Sequence, residues 1–125
     1  MRKDSGEDMV TRRGKSRREV PLVTEVRQDL GVDRKTFSRL TGYSERAIAN
    51  WEGGRALSPS SKQRIAEIRR LQEALAHVMK PASIGSWIET PNRALKGLKP
   101  LEVIERGEID TLWRMIFQLE SGAAN

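Results

Sequence analysis

The chain has 125 residues, 23 Lys+Arg against 17 Asp+Glu, a formal charge of +6, one histidine and no cysteine. That length allows one domain, or two small ones sharing a core. The missing cysteines exclude a disulfide scaffold, a Cys-based zinc site and a thiol nucleophile, and a lone His77 excludes a two-histidine catalytic site.

No apolar run approaches the roughly 20 residues of a bilayer span, and residues 1–10 lack the apolar stretch of a signal peptide. A soluble cytoplasmic protein is expected, with no cofactor or metal and no enzymatic activity. The positive excess lies in the first two thirds, and residues 81–125 are slightly acidic. A basic field of this kind suits a polyanion, because neutralised phosphates release counterions.

Residues 1–19 lack aromatics and periodicity and are predicted to be a disordered basic arm, with Arg12, Arg13, Lys15, Arg17 and Arg18 available to touch DNA. Leu22, Val23, Val26 and Leu30 follow helical spacing up to Gly31. Asp33 is placed to cap a helix carrying Phe37 and Leu40, which Gly42 ends. Ser44 caps the next helix, with Ala47, Ile48 and Trp51 inward, and Gly53-Gly54 stops it. Pro59 suits the first turn of a longer helix. There Ile65, Ile68, Leu71, Leu75 and Val78 form a stripe, with Arg64, Glu67, Arg70 and Glu73 on wet faces. Pro81 ends that helix. Short elements follow at 84–89, 93–96 and 101–106, punctuated by Pro91, Gly97, Pro100 and Gly107. A last helix runs from about Glu108 to Glu120. The fold class expected is all-α, with an N-terminal helix-turn-helix bundle over 20–80 and a small helical unit over 81–125.

Two short helices joined by Gly-Tyr-Ser are the sequence form of a helix-turn-helix. In that arrangement the second helix enters the major groove. Its leading residues are Ser44, Glu45, Arg46, Ala49 and Asn50. Arg46 matches guanine, Asn50 adenine and Glu45 a cytosine amine. Arg34, Lys35 and Arg55 suit phosphates. Each also has a purely structural reading: Glu45 as a helix-terminus charge, Arg46 as a surface residue, Asn50 as a local cap. Trp51 reads as core. The run Trp51-Glu52-x-Gly54-Arg55 resembles the ending of Xre and phage-repressor DNA-binding domains.

The second constellation is Trp87-x-x-Thr90-Pro91-Asn92-x-x-Leu95-x-Gly97-x-x-Pro100-Leu101-Glu102-x-Ile104. Its turns and apolar positions explain themselves by packing. Glu89, Glu102, Glu105, Glu108 and Asp110 read as solvated charges rather than acid–base pairs. The pattern resembles the toxin-binding domain of Xre/MbcA/ParS-type antitoxins, and its order after a helix-turn-helix is more specific than either half. The resemblance implies a type II antitoxin that binds a RES-domain toxin, an NAD⁺-destroying enzyme, blocks its active site, and represses its own operon. The alternative is a stand-alone dimeric helix-turn-helix repressor whose C-terminal unit only dimerises.

In the last helix Trp113 and Phe117 share one face, with Ile109 and Ile116 on a neighbouring one. Such a broad apolar surface meets a second copy or a toxin, or is wrapped within the chain. Arg114, Gln118, Glu120, Ser121 and Asn125 are the expected toxin contacts. Operator binding as a homodimer, in a larger complex with the toxin, is expected, with dimerisation from residues 81–122. Deleting that region is expected to leave the N-terminal helices folded.

Overall fold

The computed structural model describes residues 20–122; the basic arm over 1–19 and Asn125 lie outside the described residues. The described residues form seven α-helices and one 3-10 turn: α1 (Leu22–Leu30), α2 (Arg34–Thr41), α3 (Glu45–Glu52), α4 (Pro59–Val78), α5 (Pro81–Ile88), the 3-10 turn (Arg93–Leu95), α6 (Pro100–Glu105) and α7 (Ile109–Ser121). The expected all-α class is what forms. No described helix is long and apolar enough to cross a membrane.

The boundaries follow local chemistry. Asp33 accepts from the Thr36 amide at 2.8 Å and Ser44 from the Ala47 amide at 3.0 Å, so each caps the first turn of its helix. Ser58 does the same for α4, accepting from the Ser61 amide. Gly31 and Gly42 end α1 and α2 in the left-handed conformation. Pro81 both stops α4 and opens α5 at its first turn, where its missing N–H leaves no bond unmade.

The 20-residue α4 is the spine, about 30 Å long at 1.5 Å per residue. α1 and α2 pack on it from the N-terminal side, α5 and α7 from the C-terminal side, and α6 bridges α2 to α7. Ile65, Ile68, Leu71 and Leu75 of α4 are all 1% exposed or less, and one continuous core joins them to Phe37, Ile48, Ile84, Leu101 and Leu112. Val78 is only half-buried, because the stripe runs out as α4 passes the end of that core. Arg64, placed by periodicity on a wet face, instead turns inward. Its guanidinium donates to the Leu40 and Thr41 carbonyls, capping the end of α2.

The two halves meet backbone to backbone. Gly85 of α5 sits over the C-terminal cap of α1, so close that a Cβ there would lie 2.5 Å from the Gly31 carbonyl oxygen. On the other side Arg39 of α2 makes a two-pronged ion pair with Glu105 of α6, at 2.7 and 2.8 Å. This argues against the expectation that residues 81–122 can be deleted without unfolding the rest. Without α5, α6 and α7, the flanks of α1 and α4 that now face them are stripped of cover, and the core loses Ile84, Ile88, Leu101, Leu112 and Ile116.

Candidate nucleic-acid and partner interfaces

The turn between α2 and α3 is fastened at several points. The Ser38 hydroxyl donates to the Tyr43 carbonyl, and the Thr41 hydroxyl donates to the Phe37 carbonyl while accepting from the Tyr43 amide. The Tyr43 ring stands edge-on to Trp51, with centroids 5.0 Å apart and planes at 84°, a favoured aromatic geometry. Ile48 and Trp51 are buried, which turns the opposite face of α3 outward.

That outward face carries the residues expected to read bases. Glu45, Arg46 and Asn50 are exposed and Ala49 is half-buried beside them. Among the described residues no hydrogen bond or ion pair holds the side chains of Arg46 or Asn50. Ser44 is exposed, but its hydroxyl serves the cap of α3. Lys35 and Arg55 are exposed at the flanks, and among the described residues no hydrogen bond or ion pair holds their side chains.

Arg34 is different. It donates to Glu52, which also accepts from Arg27 at 2.9 Å. The Glu52 side chain is only 5% exposed, whereas that of Arg34 is 48% exposed. Arg27 in turn donates to the Val32 carbonyl. One carboxylate therefore ties α1, α2 and α3 together at the C-terminal end of α3. Burial opposes ionisation of Glu52, but hydrogen bonds from Arg27, Arg34 and Thr24 outweigh it and hold its pKa below the usual carboxylate value. Arg27 carried no sequence signal of its own. Glu52 stood out only as part of the Trp51-Glu52-x-Gly54 ending, so the clamp required knowing that α1 and α3 are neighbours.

The second surface is α7. Leu112 and Ile116 are buried inside the chain, at 0% and 1% exposure. Ile116 is thus a core residue rather than an interface residue: α7 turns that edge onto α4. Ile109 and Trp113 are half-buried against the same core. Phe117, by contrast, is 70% exposed and Leu119 43%. Phe117 helps line an open groove with Trp113, Arg114, Gln118 and Glu120, over the almost fully buried Ile116. The Ser121 hydroxyl donates to the Gln118 carbonyl. Arg114, Gln118, Glu120 and Ser121 therefore frame one exposed apolar face. Among the described residues no cluster of His, Cys, Asp or Glu is arranged to hold a metal ion.

The chain as a whole is similar to known proteins. The mycobacterial cidal antitoxin MbcA of Mycobacterium tuberculosis is 28% identical over 94 residues, spanning 74% of this chain and 83% of that protein. One chain of the crystal structure of the M. tuberculosis MbcT-MbcA toxin-antitoxin complex superposes with a TM-score of 0.67 and 26% identity, over 81% of this chain and 92% of that one. The chain is homologous to the MbcA antitoxins. A further relative, the probable mycobacterial cidal antitoxin Rv3188 of M. tuberculosis, is 25% identical over 88 residues, 70% of this chain and 76% of its own length. No protein-family model matches the chain.

Proposed function

We propose that this MbcA homologue is the antitoxin of a type II toxin-antitoxin pair, binding and inhibiting a RES-domain, NAD⁺-degrading toxin and repressing its own operon. The observation that carries the antitoxin half is the superposition on a chain of the MbcT-MbcA complex over four fifths of this molecule. A solved toxin-antitoxin assembly thus supplies the precedent for a chain of this shape.

The toxin contact is assigned to the exposed part of α7 around Phe117, flanked by Arg114, Gln118, Glu120 and Ser121. A soluble monomer has little reason to leave a phenylalanine on a helix 70% in water, and exposed aromatic anchors are what interfaces use. The DNA contact is assigned to Arg46 and Asn50, with Lys35 and Arg55 on phosphates. These cations and the amide are exposed and uncommitted on one side of a firmly held α3. A homodimer presenting two such helices would read two half-sites one helical turn apart.

The test is co-expression with the neighbouring gene. The neighbour alone depletes NAD⁺ and arrests growth, and this chain restores both while co-purifying with it. A harmless neighbour, or rescue without a complex, refutes the reading.

A further inference from the structure

Beside the exposed face of α7 lies a second groove that the sequence motif gave no reason to single out. It is bounded by the 3-10 turn, the end of α6 and the start of α7, and encloses about 390 Å³. Leu95, Leu98 and Val103 form its apolar floor, and its rim carries Lys96, Arg106, Arg114 and Glu108. Three cations thus face one carboxylate, in the half of the chain that is acidic overall.

Among the described residues, neither Lys96 nor Arg106 has an ion pair or side-chain hydrogen bond. Arg114 has only a long contact, 3.4 Å, to the Thr111 hydroxyl. Arg27, Arg34, Arg39, Arg64 and Arg69 are paired with carboxylates, whereas these rim cations join Arg46 and Arg55 in having no carboxylate partner among the described residues. Lys96 also sits at φ +58°, alone among the described non-glycine residues in having positive φ. The loop enforces this: the Asn92 amide bonds the Leu98 carbonyl and the Gly97 amide bonds the Asn92 carbonyl, both at 2.9 Å. A tight loop therefore presents a lysine at the rim where glycine would cost less strain.

We infer that this groove receives an acidic segment of the protein partner, with Lys96, Arg106 and Arg114 pairing its carboxylates. The inference rests on the antitoxin reading and adds to it a second half of the interface. Charge complementarity argues for an acidic occupant. Continuity argues for the same partner as α7, because Arg114 lines both this groove and the apolar one beside Phe117. A polypeptide laid across Phe117 reaches the cations without leaving the surface.

The experiment measures affinity of the purified full-length chain for its co-encoded toxin by calorimetry, at several NaCl concentrations. Lys96→Gln combined with Arg106→Glu should weaken binding by at least about tenfold, as the weaker close interfacial charge pairs do. It should also flatten the salt dependence. Glu108→Gln, which removes the lone rim carboxylate, should tighten binding. Both variants should melt with the wild type, since these side chains are exposed. Unchanged affinity and salt slope in the double variant overturn the inference while leaving the antitoxin reading intact; a wild-type chain with no affinity for the toxin overturns both. Tight binding of inorganic phosphate or AMP to the free chain, abolished by the double variant, would make this a small-anion site and overturn the partner assignment.

Discussion

Replacing Gly85 with alanine tests how tightly the two halves are joined. The added Cβ would lie 2.5 Å from the Gly31 carbonyl oxygen, 3.0 Å from that of Leu30 and 3.1 Å from the Gly31 carbonyl carbon. All three are backbone atoms, so no side-chain rotation relieves the contact. α5 must move off the cap of α1, loosening Ile84 and Ile88, which are buried on either side. Forcing extra volume into a packed interior costs about 1–3 kcal/mol. Alanine returns up to about 1 kcal/mol of helix propensity. The steric cost wins, and a net loss of about 1–2 kcal/mol is expected. For a folded unit of this size each kcal/mol lowers Tm by about 4–8 °C. Thermal unfolding followed by circular dichroism should therefore shift down by roughly 5–15 °C. Gly53→Ala is the control, because its nearest contacts would be ordinary ones at 3.4 and 3.5 Å, and its Tm should stay close to wild type. A Gly85→Ala protein melting at or above wild type would show that the α1–α5 contact has slack and refute the reasoning.

Three further outcomes are expected. Glu52→Gln removes the negative charge and exchanges one of the two acceptor oxygens for an NH2 donor, and should destabilise by about 1.5–3 kcal/mol at neutral pH, the range for hydrogen bonds to charged groups. Because the folded-state pKa of Glu52 is depressed, its contribution is present above the unfolded value of about 4.3 and is lost as pH falls through the folded value. Glu105, lowered by its hydrogen bond from Arg39, acts in the same direction. Denaturant titrations from pH 7 downward should show wild-type stability falling in acid and the Glu52→Gln protein falling less steeply; parallel curves would refute the clamp. Arg46→Ala should cost about 1–3 kcal/mol of operator affinity by fluorescence anisotropy without changing Tm or toxin binding, and unchanged operator affinity removes Arg46 from the interface. Phe117→Lys should abolish toxin binding in a pull-down and leave Tm unchanged, since the ring is already in water; retained binding moves the interface away from α7.

Much of the fold was legible because it is written locally. Asp33, Ser44, Gly31 and Gly42 act within a few residues of themselves, and their spacing to Phe37, Ile48 and Trp51 is enough to draw two helices and a turn. Outward residues of α3 follow once its inward ones are known. What could not be read depends on which elements become neighbours. Ile116 and Phe117 are adjacent in sequence and equally apolar, yet one is buried and the other in water, because only the placement of α4 decides which edge of α7 is covered. Arg64 and Arg70 look alike in a helical pattern, but only Arg64 faces the open carbonyls at the end of α2. The Arg27–Glu52–Arg34 clamp and the Arg39–Glu105 pair span 25 and 66 residues, beyond any local signal. Gly85 carries no mark as a contact residue in a segment that otherwise reads as a small apolar helix.

Because helices from both halves of the described residues pack on α4 and share one core, the two halves are expected to open together. Proteolysis of a small cooperative unit proceeds through the population in which the whole unit is open. A partner that binds only the folded form reduces that population everywhere, not just beneath its own footprint. On the proposed reading, a toxin seated on α7 would therefore protect α3 from turnover as well as its own footprint. If the proposed function holds, loss of the toxin would expose the inhibitory and the DNA-binding surfaces to degradation together.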